Sequence, residues 1–199
     1  IEEVDGMSST KKLSGLHPSR IRGAGANTAG FNRYPIANAR SGAIFLGDIV
    51  KTTAGTVAPI AATTDLAIGV FMGCHYVDPT TKQPVWSKHY PSATSSADGN
   101  VYAFVNDDPS STYIVQADAS VTAMDMNSFN FSVTLGSGST VTGISGFGLE
   151  VGTRTSASAM LRPIRFYDSP DNESTADRAF PELEVRIVQH VDAFVCTGP

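Results

Sequence analysis

The central part of the chain alternates short apolar runs with turn residues. Three such runs occupy residues 44–51, 56–60 and 66–76, and turns at Ala54-Gly55 and at residues 63–65 separate them. Runs of this length that are rich in Val, Ile, Phe and Thr favour β-strands, and short connections favour antiparallel pairing of neighbouring strands. The pattern therefore predicts a three-stranded meander that opens a small barrel.

The rest of the chain continues this pattern with few departures. A turn at residues 77–84 predicts a hairpin that carries aromatic residues on both sides, and residues 119–129 are the best candidate for a helix, of one or two turns. The glycine-rich segment 136–148 and the polar segment 168–181 are typical of loops, and residues 150–158 are polar and rich in Thr and Ser. Further strands are predicted at residues 101–106, 112–117, 130–135 and 159–167, with Pro163 marking an edge or a bulge.

The clearest strand pattern lies near the carboxyl end, at residues 182–195. Apolar and charged side chains alternate there, which is typical of a half-buried strand: Leu183, Val185 and Ile187 against Glu182, Glu184 and Arg186. We expect this strand to close the sheet that begins at residue 44. The predicted fold is mainly β: a small antiparallel β-barrel or sandwich with one short helix and an extended N-terminal arm.

Charge divides the chain into two parts. Residues 11–42 contain six basic residues and no acidic residue, whereas the whole chain has a formal net charge of −5. Residues 8–41 show no sustained period of 2 or 3.6, so we predict an extended basic arm at 1–42 and a β-barrel domain at 43–199. A basic arm on an acidic body indicates an arm that binds an acidic surface, including a neighbouring copy of the chain.

The arm supplies the candidate site residues. Arginine and aromatic side chains are enriched at protein interfaces, and the arm carries both types at Arg20, Arg22, Phe31, Arg33, Tyr34 and Arg40. These six are predicted to form an interface with another protein or with a neighbouring subunit. The alternative is an ordinary irregular segment that wraps on its own domain, and the sequence leaves both possibilities open.

Catalytic and metal-binding patterns are weak in this sequence. The four histidines are scattered without zinc-ligand spacing, and neither a nucleophile elbow nor a phosphate loop occurs. Cys74 and His75 are neighbours in a predicted strand, so their side chains point to opposite faces. We therefore predict no catalytic residue, no metal site and no cofactor. Asp107-Asp108 is predicted to form a structural turn rather than a cation site, and the acceptor motif at Asn172 carries little weight.

Other binding partners are limited by charge and hydropathy. The acidic body disfavours direct binding to nucleic acid. The sequence lacks a run of about 18 apolar residues, the length that a membrane-spanning helix requires, so we expect a soluble protein. Cys74 and Cys196 both lie in apolar runs and are predicted to be buried free thiols, with a disulfide as the alternative.

A string of short motifs resembles a known family. The motifs include NARSGAIFLGDIV at residues 38–50, IGVFMGCHY at 68–76, VWSKHYP at 85–91, VNDDP at 105–109 and VQAD at 115–118, and they continue at 161–165, 170–172 and 184–187. Together they are similar to virion structural proteins of tailed bacteriophages, and more narrowly to capsid decoration (cement) proteins. The resemblance does not cover the arm.

The resemblance implies a non-enzymatic β-barrel module that binds the outer surface of the capsid after synthesis in the host cytoplasm. Such a module decorates and stabilises the bacteriophage head by bridging major capsid subunits, as a homo-oligomer (trimer or dimer). We expect that a chain without residues 1–42 folds but does not decorate heads.

An alternative function is a carbohydrate-binding or adhesion β-module of a fibre or cell surface. Tyr76, Trp86 and Tyr90 would form its stacking face, and burial of Trp86 in the core would count against it. A hydrolase is a further alternative, without a motif to support it.

Overall fold

A computed structural model of the protein describes residues 11–22, 30–168, 172 and 179–193. Within these residues the chain forms twelve β-strands and a single 3₁₀ turn at Ala123–Asp125. The strands are β1 (His17–Ile21), β2 (Asn32–Ile36), β3 (Ile49–Thr53), β4 (Thr56–Pro59), β5 (Gly69–Val77), β6 (Pro84–Ser87), β7 (Val101–Asn106), β8 (Ser111–Gln116), β9 (Asn130–Thr134), β10 (Gly148–Thr155), β11 (Leu161–Phe166) and β12 (Glu182–Ile187).

The strands form two antiparallel sheets. The first sheet has the order β1-β8-β12-β11-β9-β10, and the second has the order β2-β7-β5-β3-β4, with β6 paired to β5. The prediction of a mainly β fold is confirmed. Of the two architectures that the sequence left open, a sandwich-like arrangement fits, because the described residues do not form a closed barrel.

The predicted closure by the last strand is wrong. β12 lies in the first sheet, where β8 and β11 occupy both of its edges, whereas β3, β4 and β5 lie in the second sheet. A strand that is already paired on both edges has no hydrogen-bonding groups left for a third neighbour. After β12, His190 forms an isolated bridge with Ala67, which precedes β5 of the second sheet.

The amino-terminal segment is part of both sheets. β1 pairs with β8 at the edge of the first sheet, and β2 pairs with β7 at the edge of the second. Leu16, which precedes β1, is fully buried in the core. In the described residues the predicted arm is therefore wrapped on its own domain, which was the alternative, and removal of residues 1–42 would take an edge strand from each sheet.

The apolar side chains form two clusters, one on each side of the second sheet. The first cluster joins the sheets: Tyr113, Val115, Leu183 and Val185 of the first sheet with Ile49 and Val70 of the second. The other cluster includes Phe71, Cys74, Ala103 and Val105, and the second sheet curls around it until its edge strands β2 and β4 touch. Each large side chain buried in this way stabilises the fold by roughly 1.5–3 kcal/mol.

Two local features fix the register of the second sheet. Ala54 and Gly55 both have positive φ angles, 49° and 79°, as the tight hairpin turn between β3 and β4 requires, and this confirms the predicted turn. A bulge between Phe71 and Gly73 interrupts the pairing of β5 with β7. Beyond the bulge, His75 is the register partner of Tyr102.

The helix predicted at residues 119–129 is shorter in the structure. Only Ala123–Asp125 is helical, as a 3₁₀ turn, and the main-chain N–H and the hydroxyl of Thr122 both donate hydrogen bonds to the Asp125 carboxylate. The ion pair of Asp125 with Arg154 ties this turn to β10.

Candidate binding surfaces

The six predicted site residues do not form one surface. Arg20 and Arg22 lie at the edge of the first sheet, in and just after β1. Phe31, Arg33 and Tyr34 lie at the edge of the second sheet, in or beside β2. The sixth residue, Arg40, is in the loop between β2 and β3.

Arg20 belongs to a buried ion-pair cluster. Its Nε donates a 2.6 Å hydrogen bond to the Glu184 carboxylate, which also accepts hydrogen bonds from Arg165 and from the Thr112 hydroxyl. The Glu184 side chain is completely buried, although the alternation in β12 predicted a polar face. Desolvation would raise its pKa, but these three hydrogen bonds outweigh it and lower the pKa to about 2. Arg20 therefore has a structural role, as an ion-pair partner of the buried Glu184.

Arg40 and Tyr34 are also held within the chain. Arg40 donates to the carbonyl of Gly42, and burial lowers its pKa while the charges of Tyr90 and Asp48 partly offset that effect. The Tyr34 hydroxyl donates a 2.6 Å hydrogen bond to the Asp107 carboxylate. That hydrogen bond is the main cause of the rise of the Tyr34 pKa to about 12.

The acidic pair at Asp107-Asp108 organises a turn, as predicted. Asp107 accepts hydrogen bonds from both Tyr34 and Asn32 and so ties β2 to the turn. The Asp108 carboxylate accepts a hydrogen bond from the main-chain N–H of Ser110. Both carboxylates therefore stabilise the connection from β7 to β8.

One face of the second sheet presents a row of aromatic side chains to solvent. Trp86 of β6 stacks on Phe104 of β7 with ring centroids 5.2 Å apart, and the ring of His75 lies 4.5 Å from the Trp86 ring. Trp86 is 69% exposed despite its size. We define the aromatic face as His75, Trp86, Tyr102, Phe104 and Arg33.

Arg33 extends the aromatic face to the edge of the sheet. Its guanidinium group lies 4.2 Å from the centroid of the Tyr102 ring, within the range of a cation–π interaction. Phe31, just before β2, is also exposed. Of the predicted site residues, Arg33 lies on the aromatic face, and Phe31 directly precedes β2, the strand that contains Arg33. The sequence signal for Tyr102 and Phe104 was their alternation with the buried Val101, Ala103 and Val105.

The predicted stacking face of Tyr76, Trp86 and Tyr90 is wrong in composition. Tyr90 is fully buried, and its hydroxyl donates a 2.8 Å hydrogen bond to the carbonyl of Thr94. Tyr76 packs against the core inside the second sheet, because neighbouring residues of a strand point to opposite faces and His75 faces outward. Only Trp86 of the three is on the exposed face.

Residues with catalytic or modification potential are used structurally. Cys74 is a buried free thiol, and burial raises its pKa to about 12, far from a reactive thiolate. Cys196, the other predicted free thiol, lies outside the described residues. Asn172 is buried and its amide donates to the carbonyls of Tyr167 and Glu182, which occupies the side chain that the acceptor motif would modify.

The described residues contain no group of three or more His, Cys, Asp or Glu side chains arranged to hold a metal ion. In the same part of the chain, no helix has the length and hydropathy that crossing a membrane requires.

Comparisons of the chain with protein-family models, curated proteins and solved structures found no match. Proposals about function therefore depend on the chain's own surfaces.

Proposed function

We propose that this protein is a non-enzymatic virion protein that decorates and stabilises the outer surface of a bacteriophage head by bridging major capsid subunits. The aromatic face is the observation that carries the proposal. Trp, Tyr and Arg are the residue types that dominate the binding energy of protein interfaces. Here Trp86 and Arg33 are exposed and Tyr102 is half-buried, and the three residues lie on the same face of three strands of one sheet.

The way the aromatic face is built supports a role in binding a protein. The stacking of Trp86 on Phe104 and of Arg33 on Tyr102 orients both exposed side chains in the free protein. Binding of a partner there therefore costs this chain less side-chain entropy than binding to a flexible loop would. Stable interfaces bury upwards of about 1,000 Å² in total, so the aromatic face forms the centre of a larger contact. We propose that this contact is made with the major capsid protein, by a dimer or trimer of this chain.

The test uses bacteriophage heads prepared without this protein. The purified full chain is mixed with the heads, and bound protein is measured by co-sedimentation and located by particle reconstruction. We expect wild-type protein to bind in a fixed ratio to capsid subunits, and Trp86→Ala and Arg33→Ala each to weaken binding at least tenfold.

Met124→Ala is the matched control, because Met124 is 82% exposed and lies in the 3₁₀ turn, outside the aromatic face. Equal binding by wild type and Trp86→Ala would remove the aromatic face from the proposal. Failure of the wild-type chain to bind the heads would overturn the proposed function.

Carbohydrate binding is the second candidate, and the exposure of Trp86 specifically favours it. Aromatic rings on a flat sheet face can stack against the apolar side of a sugar ring, and Trp86 and Phe104 already form such a surface. A glycan array probed with wild type and Trp86→Ala separates the two functions. Glycan binding that depends on Trp86, without binding to heads, would favour the carbohydrate function.

A further inference from the structure

A cavity of about 730 Å³ lies at the carboxyl end of β12, in the first sheet. Its lining includes Arg162 of β11, Arg186 of β12 and residues 187–190, which follow directly in the chain. The volume falls within the range of roughly 300–1,000 Å³ that is typical of small-molecule sites. The aromatic face belongs to the other sheet, so this cavity is separate from the surface in the proposed function.

Two arginines that line the cavity are direct register partners. Arg162 and Arg186 are opposite each other on the antiparallel strands β11 and β12. Like charges in this position repel each other and destabilise the pair of strands. Burial lowers the pKa of Arg186, and the positive charges of Arg162 and Arg22 lower it further.

Within the described residues, neither arginine of this pair forms an ion pair with a carboxylate. The four ion pairs of the described residues use Arg20, Lys51, Arg154 and Arg165 as their cations, and so neither arginine of the cavity takes part in one. Two positions along β12, the same sheet satisfies Arg165 with the buried Glu184. The two arginines of the cavity therefore lack the charge compensation that Glu184 gives to Arg165.

Three residues of the cavity lining have a buried side-chain atom without a hydrogen-bond partner in the described part of the chain: Arg186 (Nε), Gln189 (Oε1) and His190 (Nε2). Nε of Arg186 is inaccessible to solvent and makes no hydrogen bond within the described residues. An unsatisfied buried donor costs about 1–3 kcal/mol, and more when the group is charged, so such groups in folded proteins call for an explanation. A bound anion would relieve the repulsion between the two arginines.

Other polar groups also line the cavity. Nε of Arg162 donates a 2.7 Å hydrogen bond to the Asn130 side chain, which orients its guanidinium group. Ser156 and Ser158 contribute hydroxyl groups that can donate to an anion. Asp192 is the acidic residue of the lining, and its main-chain N–H donates to Nδ1 of His190.

We propose that this cavity binds a small oxyanion, either a phosphate or a carboxylate group, between Arg162 and Arg186. Guanidinium groups match both anions, because two parallel N–H donors can reach two oxygens of one anion. The guanidinium groups of Arg162 and Arg186, which both line the cavity, supply these donors. The two anions share this chemistry, and the test separates them.

The test measures binding of inorganic phosphate and of succinate to the full chain by isothermal titration calorimetry, at constant ionic strength set with sodium chloride. We expect saturable binding of at least one anion to wild type, and at least tenfold weaker binding to Arg186→Gln and to Arg162→Gln. Preference for phosphate or for succinate identifies the anionic group. Absence of binding of either anion up to about 50 mM would overturn the proposal.

Thermal unfolding gives a second readout that a purely structural role would not produce. Without added anion, we expect Arg186→Gln to unfold at the same temperature as wild type or higher, because the substitution removes a like-charge contact. With anion, wild type should gain more stability than Arg186→Gln.

Lys82→Gln is the matched control, since it removes the same charge from an exposed position between β5 and β6 and should leave anion binding unchanged. Equal loss of anion binding in Lys82→Gln and Arg186→Gln would reveal a nonspecific charge effect and overturn the site.

Discussion

Arg20 and Glu184 are separated by 164 positions in the chain, yet a 2.6 Å hydrogen bond joins the Arg20 guanidinium to the Glu184 carboxylate. The carboxylate is completely buried, whereas the arginine side chain is half exposed. This pair ties the first strand of the fold to the last. It also shows that an arginine from the basic amino-terminal segment can be a structural element rather than a binding residue.

Glu184→Gln should destabilise the fold by about 1–3 kcal/mol, because breaking a buried ion pair leaves its cationic partners uncompensated, and the exposure of those partners reduces the cost. Urea unfolding at pH 7 measures the change. Glu150→Gln is the control, since Glu150 belongs to none of the four ion pairs of the described residues. A change for Glu184→Gln no larger than that for Glu150→Gln would contradict the structural role of the cluster.

The stability that Glu184 provides should disappear in acid. Its pKa is lowered from 4.5 to about 2 in the folded protein, so its contribution is complete above pH 4.5 and is lost as the pH falls towards 2. The shift corresponds to at most about 3 kcal/mol. The free energy of unfolding should therefore differ between wild type and Glu184→Gln at pH 6, and the difference should shrink steadily below pH 4.5. A difference that is independent of pH would contradict this assignment.

Asp48 should act in the opposite direction. Burial raises its pKa from 3.8 to about 6, even though the carboxylate accepts a 2.8 Å hydrogen bond from the main-chain N–H of Phe45. Protonation is therefore easier in the folded state, and wild type should gain stability as the pH falls from about 6 to 4. Asp48→Asn, which cannot ionise, should lack this gain, by on the order of 1–3 kcal/mol. Parallel stability curves for the two proteins between pH 4 and 8 would contradict the assignment.

Leu16→Ala should destabilise the protein by about 2–4 kcal/mol, since it opens a cavity in the core between the sheets. Leu16 is fully buried there, although it lies in the segment that the sequence assigned to an arm. Leu66→Ala is a matched control, because the same substitution is made at a side chain that is 57% exposed. Thermal or urea unfolding compares them. Similar small effects for both would show that the amino-terminal segment is not part of the core.

Trp86→Ala should change the free energy of unfolding by less than about 1 kcal/mol, because the indole is largely solvent-exposed and contributes mainly its stacking contacts. Phe71→Ala, at a fully buried position of the same sheet, should cost about 3–5 kcal/mol. Far-UV circular dichroism during urea unfolding provides both values. A large loss for Trp86→Ala would mean that its binding phenotype reflects unfolding rather than a lost contact.

Strong apolar patterns predicted their strands well, and weak patterns did not. The strand predicted at residues 101–106 is β7 with the same bounds, because its apolar side chains alternate cleanly between a buried and an outer face. By contrast, β1, β2 and β10 were missed. Each is the terminal strand of its sheet, paired along one edge, and such a strand can be held by main-chain hydrogen bonds while few of its side chains are buried.

The candidate surfaces were predictable only in part, because they depend on register. The aromatic face requires Trp86 and Tyr102 to be partners of the same residue, His75, and the bulge at Gly73 sets that alignment. The pairing of Arg162 with Arg186 likewise depends on the register between β11 and β12. Residue types suggested which side chains could bind a partner, but hydrogen-bonded pairing decides which of them lie together.

The position of β1 and β2 at the sheet edges also governs how the chain folds. Both strands are synthesised before their partners β8 and β7, which follow only after the whole central meander. Long-range pairings of this kind slow folding, since loop closure costs entropy before any contact compensates it. Until β7 and β8 have been synthesised, β1 and β2 therefore stay unpaired on the ribosome, and Leu16 is still exposed to solvent. A chaperone or a neighbouring nascent chain could bind the basic amino-terminal segment during that interval.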